Sequence, residues 1–257
     1  MQSTQALIEY TLHLADDALI LGHRNSEWTG HGPILEQDIA LSNIALDLIG
    51  QARNFYQYAA TLKADDTTED SLAYLRDGWD FRNCLLVEQG NGDWAKTILR
   101  QFFFSAHQYF LYERLQAGSD KTLAAISEKA FKEVSYHLRW SSEWVIRLGD
   151  GTAESHSRME KALDDLWKFT GELFLPSSYE RQLAAAGIGV DLSLLRPLWE
   201  EKVNEIFAEA TLTRPLGENG KEPWMQSGGK EGRHTEHLGY ILAEMQFLQR
   251  AYPGCEW

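Results

Sequence analysis

Glu231-Gly232-Arg233-His234 is the one Glu-x-x-His in this sequence. On a helix that spacing aims a carboxylate and an imidazole at one point. Two such pairs, with a Glu from each of two further helices, hold the carboxylate-bridged di-iron sites of helical bundles. Here the pair has no second copy and falls in a glycine-rich stretch rather than mid-helix, so it does not predict a di-iron motif. Glu133 and His137, at i and i+4 in KEVSYHLR, are the other half-site candidate, and a helix-surface pair or a buried, satisfied His explains them more simply. The zinc signature His-Glu-x-x-His is absent. His234, Glu236 and His237 cluster in GRHTEHLG, which suits helix-start polarity and an interface better than acid–base chemistry. Asp16 and Asp17, near His23, read as a solvated or hydrogen-bonded helix face. Asn43, Asp47, Gln51 and Asn54 form a polar stripe, and half-buried amides need partners, so an internal polar network is expected there. Gly-x-Ser-x-Gly, Walker A and Gly-x-Gly-x-x-Gly motifs are all missing. Gly228-Gly229-Lys230 offers backbone amides and one cation, an anion-site pattern of low specificity.

The elements that would position these residues are helical. Proline is scarce, at 6, and no long stretch alternates with period two. A first helix is predicted over 5–24, with Leu7, Tyr10, Leu14, Ala18 and Leu21 stepping by three and four. Pro33 suits the first turn of a second helix that runs to Leu62, with Leu41, Ile44, Leu48, Phe55 and Ala59 on its apolar face. A shorter helix is expected over 69–87. Asp93 and Asp120 read as N-caps of helices running to Ala117 and Leu148. Further helices follow near 155–174, 178–186, 192–212 and 234–251. The Gly- and Pro-rich stretch 213–233 reads as an ordered loop or lid with Trp224 as an anchor. Long helices on short loops, in two pairs separated by a break, fit an all-α, ferritin-like four-helix bundle with additional C-terminal helices, as a single domain over 1–257.

Composition narrows the function classes. The 257 residues carry a formal charge of −14, which argues against a nucleic-acid or anionic-membrane partner. Cys84 and Cys255 are the only cysteines, too few for a disulfide framework or a Cys-rich zinc site. Glu9, Asp16 and Asp17 do not suit a signal or transit peptide, and no apolar run spans a bilayer, so a cytoplasmic location is expected. The 9 Trp, 10 Tyr and 11 Phe point to heavy aromatic packing or a large contact surface.

Four stretches carry a resemblance: DIALSNIALDLIGQARNFYQYAA (38–60), LLVEQGNGDWAKTILRQFF (85–103), ISEKAFKEVSYHLRWSSEWVIRLGDGT (126–152) and GGKEGRHTEHLGYILAEMQFLQR (228–250). In order and nearly end to end, the chain resembles the non-catalytic C subunits of the multicomponent ring-1,2-phenylacetyl-CoA epoxidases (phenylacetate-CoA oxygenases). The match is weakest at the N-terminal few residues, 62–70 and 176–190. The resemblance implies a ferritin-like fold and a homologous catalytic subunit that holds the di-iron centre. That complex uses oxygen and reductase-supplied electrons from NADPH to epoxidise the ring of phenylacetyl-CoA.

Against the catalytic relative's motifs, Leu48 stands at a ligand Glu, Gly50 at its Gly and Gln51 at the ligand His. Glu133 and His137 are kept, but Val134 stands at the second ligand Glu. The first-helix Glu falls at Asp17 or Ala18, and ILRQFFFSAHQ supplies no third-helix carboxylate. Two ferrous ions need several carboxylates for neutralisation, so the expectation is a structural subunit with no metal, no cofactor and no catalytic residue of its own. Its expected partners are the homologous catalytic subunit, the reductase and small subunits, and further copies of itself, with Trp224, Lys230, Arg233, His234, Glu236 and His237 as interface candidates. The alternatives are a di-iron oxygenase in its own right and a free-standing acyl-CoA binding module.

Overall fold

The computed structural model describes residues 2–217 and 223–255, so 218–222 of the predicted loop lie outside the described residues. Among the described residues there is no strand. The all-α class and the helical bundle expected from periodicity are what is observed. The chain divides into two compact units. The first comprises the described residues of Met1–Gly90, Ser177–Leu183 and Gly228–Trp257, the second Asn91–Pro176 and the described residues of Ala184–Ser227.

The first unit is built on α1 (Gln2–Ser26) and α2 (Leu35–Lys63). They pair antiparallel: Gly22 lies against Leu48 and Ile49, while Asp16, further back on α1, bonds Tyr56, further along α2. Leu41, Ile44, Leu48, Phe55 and Ala59 are fully buried, the face that the sequence period marks out. Pro33 sits outside the helix rather than in its first turn, because Ile34 is the extended N-cap residue.

The predicted helix over 69–87 is broken. It becomes α3 (Glu69–Tyr74), a 3-10 turn at Gly78–Asp80, and α4 (Leu85–Glu88). Phe81 and Cys84 between them are extended. The cause is tertiary. Asp16 accepts the Arg82 N–H at 2.8 Å and Asp17 accepts the Cys84 N–H at 2.7 Å, donors that a helix would need for itself. The predicted 234–251 helix starts later and splits into α10 (Glu236–Met245) and α11 (Phe247–Ala251). Most of α8 (Ser178–Ala185) belongs to this unit.

The second unit holds α5 (Trp94–Leu115), α6 (Lys121–Gly149), α7 (Ala153–Leu166) and α9 (Arg196–Glu209). Asp93 and Asp120 cap α5 and α6 as predicted, accepting the Lys96 and Leu123 N–H groups at 3.0 and 2.9 Å. The predicted 155–174 helix ends at Leu166 and continues as 3-10 turns. The core is aromatic: Phe103 packs on Trp167, Trp199 and Phe207 with centroids 5.7–6.1 Å apart, and Trp199 Nε1–H donates to the Phe103 carbonyl at 2.9 Å.

Two glycines on the first unit separate backbone need from backbone freedom. A Cβ on Gly229 would strike the Asn83 carbonyl oxygen, whereas one on Gly50, mid-α2, meets nothing within 4 Å. Gly50→Ala is expected to stabilise the chain by about 0.5–1 kcal/mol. Gly229→Ala is expected to destabilise it by about 1–3 kcal/mol. Urea unfolding midpoints of the two variants against the parent check both signs.

Candidate functional site

The densest polar chemistry lies inside the first unit. His13, Asp16 and Asp17 share one face of α1, and all three are buried. Asp16 accepts the Tyr56 hydroxyl at 2.5 Å, the Arg82 N–H at 2.8 Å and both Nη groups of Arg76. Arg76 lies over the Phe81 ring, its guanidinium carbon 4.3 Å from the centroid. Burial raises the Tyr56 hydroxyl well above its ordinary pKa, and the Asp16 charge adds to that rise.

Asp17 and Glu180 show how neighbours divide two buried carboxylates. His13 Nδ1–H donates to the Arg82 carbonyl at 2.8 Å. Its Nε2 faces Asp17 at 3.6 Å and Glu180 at 3.7 Å. Burial lifts the Asp17 pKa, and the opposing pull of His13 and the Cys84 N–H does not cancel the rise. Glu180 suffers the same desolvation, but the Lys230 ammonium at 3.0 and 3.2 Å, with His13 and the Ser177 N–H, holds it down to about 2. Direct contact with a buried cation is the difference.

Glu88, fully buried at the end of α4, accepts four hydrogen bonds. They come from the Thr235 N–H and hydroxyl at 2.6 and 2.7 Å, from His234 Nδ1 at 2.9 Å and from Asn83 at 3.0 Å. Thr235 is the N-cap residue of α10, so Glu88 caps that helix from a distant part of the chain. His234 Nε2 meets the Phe81 carbonyl at 3.1 Å. A carboxylate and a carbonyl offer only lone pairs, so both ring nitrogens donate and the imidazole is held as the cation. Burial opposes that charge, but the Glu88 hydrogen bond and charge outweigh it and raise the His234 pKa.

Chemically this network is saturated: its carboxylates already face N–H, O–H, guanidinium, ammonium or imidazole partners. Among the described residues no group of three His, Cys, Asp or Glu side chains is placed to hold a metal ion. The network ties α1, the 76–90 segment, α8 and the 228–238 segment into one register.

The residues singled out from sequence distribute as follows. Asp16 and Asp17 form a hydrogen-bonded helix face, buried toward 76–84 rather than solvated, and His23 does not join their network. Leu48 is fully buried, and Gln51 is buried one turn on. Of the polar stripe only Gln51 is buried, while Asn43 is exposed and Asp47 and Asn54 are half-buried, so no continuous internal network runs along α2. Val134 and His137 are fully buried in the second unit, and Glu133 faces Lys129 at 4.0 Å. Lys230 turns inward to Glu180, and the side chain of His234 turns inward to Glu88. Arg233 is exposed and pairs with Glu231, Glu236 is exposed, and His237 is half-buried beside Gly90. Trp224 is 71% exposed. Glu88, Glu180, Arg76 and His13 were not singled out. The one available signal was two adjacent aspartates inside the apolar run LADDALIL.

Residues 1–257 match the family described as phenylacetic acid catabolic protein. The chain is also 51% identical over 251 residues to the C subunit of the 1,2-phenylacetyl-CoA epoxidase of Escherichia coli strain K12, covering 98% of this chain and 99% of that relative.

Lys230→Ala strands the buried Glu180 carboxylate and is expected to cost about 3–5 kcal/mol, whereas Lys230→Met combined with Glu180→Leu costs far less. Chemical denaturation of the three proteins at neutral pH checks this. His234, with its folded pKa raised above 6.5, adds stability that is complete below 6.5 and lost as pH rises through the folded value. His234→Gln is therefore expected to remove part of the decline in stability above pH 6.5, which melting temperatures across that range measure.

Proposed function

The chain belongs to the phenylacetic acid catabolic protein family, and from that membership we propose that it serves as a structural, metal-free subunit of a phenylacetyl-CoA 1,2-epoxidase. In this reading it acts in aerobic phenylacetate catabolism in the cytoplasm, where it docks and stabilises a homologous catalytic partner. That partner holds the di-iron centre and, with a reductase and small subunits, supplies the oxygen chemistry. Among the described residues no helix is long and apolar enough to cross a membrane.

The observation that carries the metal-free reading is the donor set. At positions where the resemblance expects ligand carboxylates, Leu48 and Val134 are both fully buried. The space behind Leu48 is closed by Gly22, whose added Cβ would come within 3.3 Å of it. Asp17, the first-helix acid, is turned to the Cys84 N–H and His13. Two iron ions bring about four positive charges, and this set offers no bridging carboxylate to balance them. The residues therefore do not fit a di-iron centre. The exposed Trp224 supports a partner-facing role for the 213–233 loop, because exposed aromatics are favoured interface anchors.

Anaerobic loading with Fe(II), followed by elemental analysis after desalting, is expected to leave far fewer than two irons per chain. A stoichiometric pair of irons with a di-ferric absorbance band would overturn the reading in favour of a di-iron oxygenase. Gel filtration with the co-expressed catalytic subunit tests the docking half. Co-elution through moderate salt is expected, and separate elution would remove the structural-subunit role.

A further inference from the structure

Inside the second unit a cavity of about 280 Å³ opens beside the aromatic core. Its wall comes from segments far apart in the chain. Trp167 and Phe174 belong to the 3-10 turns after α7, and Trp199 to α9. Arg196, Trp199 and Glu200 share one face of α9 through their spacing of three and four. Arg214 and Met225 come from the stretch that follows α9. Met225 is seated on Gly171, where an added Cβ would come within 2.7 Å of the Met225 Cγ. The next residue, Gln226, donates its N–H to the Lys168 carbonyl at 2.8 Å. This strap holds the wall in place, so the cavity is part of the fold.

The lining combines rings and cations. Trp167 and Trp199 lie 5.9 Å apart, and Phe174 meets Trp199 at 5.3 Å and 60°. A further ring joins such a cluster offset or edge-on, at roughly 4.5–7 Å between centroids. Among the described residues the charged lining is Arg196, Arg214 and Glu200, two guanidiniums to one carboxylate. Arg196 Nε–H donates to Glu200 at 2.9 Å. Arg214 is held more loosely. Its guanidinium carbon lies 5.1 Å from the Trp167 ring centroid, and its Nη groups are 3.6 Å from Glu200 and 3.5 Å from Asn204 Oδ1. A guanidinium stacked on an indole, with only long polar contacts, keeps its N–H fork open for a carboxylate. The positive charge in excess selects an anion. Sites for drug-sized ligands run to roughly 300–1,000 Å³, so this smaller cavity suits a single ring with a short side arm and not a nucleotide.

We infer that the cavity binds a small aryl carboxylate, with its ring against Trp167, Phe174 and Trp199 and its carboxylate on Arg214. The site stands whether or not the chain serves as an oxygenase subunit.

Calorimetric titration of the full-length chain with phenylacetate as the probe tests this. Saturable binding of one equivalent is expected. Phenylacetamide, with the same ring and no charge, is expected to bind at least about ten-fold more weakly, the worth of one charge-assisted hydrogen bond. Arg214→Gln should weaken phenylacetate binding by a similar factor with an unchanged melting temperature. Arg214→Lys keeps the charge without the planar fork and should fall between. Arg147→Gln removes another arginine over an indole, 5.5 Å from Trp144 and outside the cavity, and should bind like the parent. No saturable binding by the parent at millimolar probe, or equal binding by the parent and Arg214→Gln, would overturn the site. Equal binding of the amide would remove carboxylate recognition and the inferred ligand class with it. Tighter binding of ADP than of phenylacetate, lost in Arg214→Gln, would assign the cavity to a nucleotide and likewise overturn the inference.

Discussion

Two adjacent carboxylates buried on one helix dictate how the first unit is built. A carboxylate removed from water must be met by donors, and the penalty for leaving one unmet is several kcal/mol. Asp16 and Asp17 draw their backbone donors from Arg82 and Cys84, so the chain beside α1 runs extended where its own periodicity favours a helix. That strand-like passage delivers α4, and with it Glu88, to the place where α10 must begin. The same logic repeats at Glu180, which is satisfied by a lysine fifty residues away. Buried ion pairs are poor evidence of net stability, but each of these selects one register out of many.

The network also bears on why the chain reads as structural. Its acids are already engaged, and the positions where the resemblance expects ligand carboxylates hold a buried leucine and a buried valine. An apolar side chain at such a place packs the bundle and carries no charge to neutralise. On the proposed reading, the fold keeps the long-helix framework of an oxygenase subunit while its polar interior serves assembly of the unit itself.

Much of the helical framework was legible in the residues alone. Period-3.6 patterning located α1, α2, α5 and α6, because burial of one stripe per helix leaves a local trace. Asp93 and Asp120 were readable as caps, since a cap bonds only its own first turn.

What the tertiary structure alone decided is everything that depends on distant partners. The break in the predicted 69–87 helix follows from acceptors on α1, and Lys230 becomes an internal counter-ion only because α8 brings Glu180 to it. Glu88 carries no mark in the sequence as the cap of a helix that begins at Glu236. Local propensity and periodicity are sums over near neighbours. The pairing of buried charges is set by which segments of the chain meet in space, and that information exists only once the chain has folded.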